Sequence, residues 1–325
     1  MNLLLPRLGV AVVVAAILVA ICMPWIVPTY FLTTLILFFV WAIVAQGWNL
    51  VWGIAGVWSL GQMAIFAMAG YCTGWVVIHT GISTVGAAVI GVILSLVASV
   101  VMSIPSIRLK GVYVILFTIS FHELFRTLLM TDTSGFTGGQ FGLPSYEGFV
   151  SKEVPFSERT RIYYYIAFIL FLLVTGIMVI LQKSRLGLAF RAIGQAPLYA
   201  ASRGISLFKT QTLAFLIGGL FAGVAGSFWS GYFGTMQPGV LSYDTLVLII
   251  AMMVIGGWGT LLGPILGAFL LTWLSEALHQ AHEFRMIILG SLVVIAAVLF
   301  PAGLSPQIER FMHFVSGKFG KNNQI

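Results

Sequence analysis

Four polar side chains stand out because they fall inside apolar runs: Ser59, Gln62, Glu123 and Arg126. An ionisable group within a membrane span costs about 2.5–3.5 kcal/mol even on the lenient insertion scale, so each one needs a reason. Glu123 and Arg126 are spaced to pair on one helical face. Two readings fit them: they flank a pathway and meet the charged ends of a polar solute, or they form a structural ion pair that pins helices together. Ser59 and Gln62 lie among glycines, where local unwinding would open backbone groups to a cavity. Packing hydrogen bonds are the other reading. The turn at Thr137, Gly138 and Gly139, continuing through Gln140-Phe141-Gly142, cannot readily extend a helix. It is expected to present accessible amides to a delivered solute or a docking partner, or to serve as a plain connector.

Other chemistries are excluded by what is missing. No Gly-x-x-x-x-Gly-Lys-[Ser/Thr] phosphate loop occurs, so the chain does not hydrolyse ATP by that route. His122-Glu123 resembles the start of a zinc-protease helix motif, but Arg126 stands where the second His ligand belongs, and an Arg cannot serve. Glu276, His279 and Glu283 share a helical face with His282 beside them; such a cluster is as a rule a wet helix end, and no metal is assigned. With no nucleophile–base pair or metal triad, no catalytic residue is assigned and an enzyme is disfavoured. Cys22 and Cys72 lie in apolar runs without Cys-x-x-Cys spacing, which implies neither a disulfide framework nor a thiolate site.

The elements that must position these residues follow from composition. The chain is 60% apolar and 8% charged, against about 25% charged in an ordinary soluble domain. Lipid must be the solvent for most of that surface. Candidate spans are Leu8–Val27, Tyr30–Val51, Val57–His79, Ile82–Pro105, Val112–Met130, Ile162–Leu181, Gln211–Phe233, Asp244–Ile255, Thr260–Leu278 and Met286–Phe300. The eighth is short, and the break at Gly256-Gly257-Trp258-Gly259 reads equally as a re-entrant turn. The first run follows only Arg7 and has no small-x-small cleavage signal before Pro24 and Pro28, so a retained span is expected. The fold class is an all-α integral membrane protein, a bundle of about nine to ten transmembrane helices.

Charge orients the bundle. The net charge of +7 is spread between apolar runs and forms no stripe or tail, so it marks connectors and implies no nucleic-acid partner. Lys183, Arg185, Arg191, Arg203 and Lys209 crowd one connector without any acid, which places it in the cytoplasm. Between 131 and 161, Asp132, Glu147, Glu153 and Glu158 offset Lys152, Arg159 and Arg161, which places that segment outside. Threading the spans between the two puts both termini in the cytoplasm. The whole of 1–325 reads as a single transmembrane domain, with an external segment at 131–161 and a basic cytoplasmic loop at 183–210. Within that loop, Pro197 to Arg203 followed by Gly204 reads as a two-turn helix, with Pro in its first turn and Gly at its left-handed end. A helix that short is marginal unless it packs on something, and that something can be another protein.

Small residues recur four apart at Gly70/Gly74, Gly219/Gly223 and Gly263/Gly267, a spacing that lets helix backbones approach closely. Trp58-Ser59-Leu60-Gly61 is faintly similar to Trp258-Gly259-Thr260-Leu261-Leu262-Gly263, as an inverted repeat would leave.

At the 183–210 loop the sequence resembles the permeases of branched-chain amino acid ABC importers, of the LivM type, which implies that 1–325 is a transmembrane permease domain and 183–210 its cytoplasmic coupling loop. The resemblance runs from Ser184-Arg185-Leu186-Gly187 through Arg191-Ala192-Ile193 and Ala200-Ala201 to Gly204-Ile205, Lys209 and Ala214-Phe215. Similar segments extend from Ser59-Leu60-Gly61 through Arg108-Leu109-Lys110-Gly111, Thr118, Glu123, Arg126 and the Thr137-Gly138-Gly139 turn. They continue through Gly256-Gly257, Gly259-Thr260 and Gly263-Pro264 to Phe300-Pro301 and Gly303-Leu304. The resemblance implies a bacterial cytoplasmic-membrane importer with a second permease of the LivH type, two cytoplasmic ATPases that use ATP and Mg, and an external solute-binding protein. This chain itself would bind no cofactor. The ATPase contact would fall on Arg191, Pro197, Leu198, Tyr199, Ala200, Ala201 and Gly204, with the two alanines seated in a cleft.

The chain departs from the family pattern in two places. Gly194-Gln195-Ala196 stands where relatives carry acids entering the coupling helix, so docking there would rest on shape and apolar area. Gln62 replaces a common His, and Val112 and His122 stand where Asp and Gly are common. The expected solute is a branched-chain amino acid; urea, short amides and other small acids are the alternative within the family. A stand-alone secondary transporter or channel also fits the spans but leaves the basic Pro-to-Gly helix unexplained.

Overall fold

The computed structural model describes residues 17–109, 111–278, 288, 290, 291, 294, 295 and 303–305. No strand occurs among the described residues. Inside lipid every backbone N–H and C=O must be satisfied within the protein, and helices do this within one segment. Helix α1 covers Ile17–Ile26, α2 Thr29–Asn49, α3 Gln62–Thr80, α4 Thr84–Arg108 and α5 Val112–Met130. Then come α6 Phe156–Lys183, α7 Arg185–Gln195, α8 Pro197–Ser202, α9 Leu207–Phe233, α10 Tyr243–Gly256 and α11 Gly263–Ala277. Six helices are long and apolar enough to cross a membrane: α2 with its extension to Ile54, α3, α4, α5, α6 and α9. The 14 residues of α10 and the 15 of α11 reach about 21 and 22 Å, short of a hydrocarbon core of about 30 Å. The tenth expected span, Met286–Phe300, lies largely outside the described residues, as do His279, His282 and Glu283.

Helix α2 is the axis of the bundle: every residue from Phe38 to Asn49 is buried, against α6, α9 and α11. A second core joins α3, α4 and α9. Small residues make it possible. A side chain added at Gly219 or Gly223 of α9 would strike Ser99 or Ser95 of α4, and one at Gly226 would strike the Phe66 backbone of α3. The α10–α11 crossing works the same way, with Gly267 against the Met252 carbonyl and Gly256 against that of Gly263. The helix expected to start at Val57 begins only at Gln62. The α2 helix widens into a π turn over Leu50–Ile54, the chain turns at Gly56 (φ 71°), and residues 57–61 are not helical.

Candidate functional site

The non-helical stretch owes its stability to partners remote in sequence. Trp48 Nε1 of α2 donates to the Ser59 carbonyl at 2.6 Å, and the Leu60 N–H donates to Thr118 Oγ1 of α5 at 2.9 Å. One residue on, Asn49 holds the second broken segment: its Nδ2 donates to the Thr260 carbonyl at 2.8 Å and its Oδ1 accepts from the Gly259 N–H at 2.7 Å. Both segments precede a helix start, that of α3 and that of α11, and both carry a Trp against Trp52. The ring separations are 5.8 Å to Trp58 and 6.5 Å to Trp258. The two faintly similar sequence segments therefore occupy matching positions around the end of α2. π turns inside helices recur at functional positions.

Ser59 and Gln62 are fully buried here, and Gln62 Nε2 donates to the Gly218 carbonyl of α9 at 2.5 Å. Glu123 and Arg126 lie on a different face. Arg126 Nη1 donates to Glu123 Oε1 at 2.9 Å; the two side chains are 26% and 36% exposed, with Glu123 Oε2 turned inward, on a helix α5 that has neighbours over little of its surface. This is the single ion pair among the described residues. The Arg126 guanidinium also lies 5.7 Å from the Tyr243 ring centroid at the start of α10. Beside it, fully buried His122 places Nε2 3.0 Å from the Leu241 carbonyl, tying α5 to the turn before α10.

At the same end of the bundle, Asp132 closes the loop after α5. Its Oδ2 accepts from the Thr137 N–H at 2.5 Å and from the Thr137 hydroxyl at 2.7 Å, while Oδ1 accepts from the Ser134 N–H at 2.8 Å. These hydrogen bonds, those from Ser134 and Thr137 hydroxyls foremost, hold the Asp132 carboxyl far below the ordinary carboxylate range. The Thr137 amide is thus engaged within the turn, while Gly138 and Gly139 take left-handed backbone angles. Deeper in, Tyr146 Oη donates to the Ser230 carbonyl at 2.9 Å, and burial pushes its phenol up to about 12.

The opposite end carries α7 and α8. Ser184 caps α7 by accepting from the Gly187 N–H at 3.3 Å, and Phe190 and Ile193 are buried beneath it. Gly194 then meets the backbone of the α2 exit: a Cβ at Gly56 would lie 2.7 Å from Gly194 Cα, and one at Gly194 would strike the Ile54 carbonyl. Pro197 occupies the first turn of α8 and Gly204 lies beyond its end at φ 85°. Leu198 and Tyr199 are exposed, as is Ala201. Ala200 instead faces inward, its carbonyl accepting from the Ile205 N–H at 3.1 Å, so a surface docked on α8 meets Leu198, Tyr199 and Ala201. Arg191 donates to Gln182 Oε1 at 3.4 Å.

Asn49, Trp48 and the Gly56–Gly194 contact escape sequence reasoning. Asn49 and Gln46 carried a usable signal, being polar side chains inside an apolar run, as Gln62 was. Among the described residues no group of three metal-ligating side chains converges.

A family model described as branched-chain amino acid transport system / permease component matches residues 30–297. The high-affinity branched-chain amino acid transport system permease protein LivM of Salmonella typhimurium is 26% identical, over 94% of this chain and 76% of the relative. Its Escherichia coli counterpart gives the same figures, 26%, 94% and 76%. The LivH permease of Escherichia coli is 25% identical over 83% of this chain and 93% of the relative. No solved structure matches the chain.

Proposed function

The chain belongs to the family of branched-chain amino acid transport permease components, and we propose that it is the membrane-spanning permease subunit of an ATP-driven importer for branched-chain amino acids. The observation that carries the mechanism is the seat of Gly194 on Gly56, which joins the α7–α8 loop to the broken end of α2 by direct backbone contact. A partner ATPase closing against exposed Leu198, Tyr199 and Ala201 would move α8, then α7, and through Gly56 the segment that holds Ser59. Trp48 and Asn49 extend that linkage to the start of α11.

In this reading the basic α7–α8 loop and both termini lie in the cytoplasm, the 131–161 segment lies outside, and α1, α10, α11 and the C-terminal segment complete nine to ten crossings. The short α10 and α11 cross together with the non-helical residues that flank them. The partly exposed Glu123–Arg126 pair on the sparsely covered face of α5 borders the pathway, where water and the charged ends of an amino acid offset its desolvation. A second permease of the LivH type covers the far wall, an external binding protein delivers the solute, and two ATPases consume ATP and Mg. The cytoplasmic membrane of a bacterium is the site of action.

Two variants test the coupling surface. Ala201→Arg places a bulky cation on the exposed face of α8, and Gly204→Val opposes the left-handed turn at φ 85°. Both are expected to leave insertion and assembly intact while ATP hydrolysis runs without uptake. Wild-type coupling in both would make α8 an ordinary loop.

A further inference from the structure

A cavity of about 350 Å³ opens between α2, α9 and α10, apart from the residues assigned above. Its volume falls within the range of small-ligand pockets, about 300–1,000 Å³. Three aromatic rings wall it: Trp41 stands 4.9 Å from Trp229, and Trp229 stands 4.5 Å from Phe233, centroid to centroid. The polar groups sit at the rim. The Thr235 hydroxyl is already spent on the Leu143 carbonyl at 2.8 Å, and that of Thr245 lies 3.1 Å from Ser242 Oγ. The exposed Gln237 carboxamide supplies a donor and an acceptor at the mouth.

We propose that this cavity receives the branched aliphatic side chain of the transported amino acid on its way into the permease. The inference rests on the functional reading above and narrows it. The mouth lies at the water-facing end: the rim segment is tied to the external segment by the Leu143 N–H on the Met236 carbonyl and the Tyr146 N–H on that of Gly234, each at 2.9 Å. An opening there admits a solute from water more directly than a lipid chain from the hydrocarbon core. The walls then choose the solute class. Indole and phenyl faces gain from an aliphatic group, which loses no hydrogen bond on entering. Urea or a short amide gains little from the same rings and finds only the Gln237 carboxamide to bond, so the cavity favours the aliphatic group. Gly239 on the wall leaves room, since a Cβ there would meet nothing within 4 Å.

That open position provides a test that spares the fold. Gly239→Leu adds an aliphatic chain to the lining of the cavity at a position where a Cβ meets nothing within 4 Å. The complete importer, reconstituted with its binding protein, is assayed for leucine and valine uptake and for ATP hydrolysis. The inference expects the leucine-to-valine uptake ratio to fall about tenfold or more, the scale of one methylene in an apolar pocket, with assembly unchanged. As a second reading, Gly239→Cys in a chain with Cys22→Ser and Cys72→Ser should react with an impermeant thiol reagent more slowly during leucine turnover. An unchanged uptake ratio, whatever the absolute rate, overturns the inference and leaves the cavity to lipid or the partner permease. A wild-type importer that takes up neither amino acid overturns the functional reading itself, and this inference with it.

Discussion

Placing one methyl group at Gly194 tests how motion enters the membrane. The added Cβ would strike the Ile54 carbonyl and come within 3.3 Å of Ala55 C and Gly56 N. All three are backbone atoms, and they belong to the last residue of a π turn, its capping residue Ala55 and left-handed Gly56, which have little freedom to yield. Overpacking a tight contact costs about 1–3 kcal/mol. Such an energy shifts the balance between seated and unseated α7 by about 5- to 150-fold. Gly194 lies in a short loop helix outside the six long apolar helices, so insertion and assembly should not change. In reconstituted complex, solute moved per ATP hydrolysed should therefore fall within that range for Gly194→Ala and further for Gly194→Val. Gly176→Ala is the control, because a Cβ there meets nothing within 4 Å. A wild-type ratio in both Gly194 variants would refute transmission through this contact.

Two further outcomes follow from the proposed pathway and orientation. Glu123→Gln should lower uptake about tenfold or more while the complex still assembles, because the partly exposed Arg126 keeps access to water and to Tyr243; loss of assembly would instead mark a structural ion pair. With Cys22 and Cys72 replaced by Ser, a single cysteine at Ser151 should react with an impermeant thiol reagent in intact cells and one at Ser202 should not, and the reverse pattern would invert the orientation.

The fifth span was legible to the residue, Val112–Met130, because Gly111 and Thr131 bound a predominantly apolar run. The Pro197-to-Gly204 helix was equally plain, since proline fixes φ in the first turn and glycine admits the left-handed angle past the end. Helix α6 starts at Phe156, six residues before the apolar run at Ile162, because Pro155 precedes it and polar Ser157 to Arg161 are tolerated at a wet helix end. Hydropathy sees composition and misses such starts. It also misses the break over 57–61, whose Ser59 carbonyl and Leu60 amide are satisfied by Trp48 and Thr118 from other helices. Of the candidate site residues, the Glu123–Arg126 pairing follows from helical spacing alone. The inward turn of Ala200 depends on Ile205 folding back over α8, which no local pattern announces.

The central claim is that this chain provides the membrane pathway of an importer powered by separate ATPases. Its most direct test is leucine uptake into proteoliposomes containing this permease, its partner permease, both ATPases and the binding protein, with each component omitted in turn. The account predicts uptake against a gradient that requires ATP, the ATPases and the binding protein together, and that stops when any one is missing. Leucine uptake of equal rate by this chain alone, without ATP, would contradict it and show a stand-alone transporter or channel.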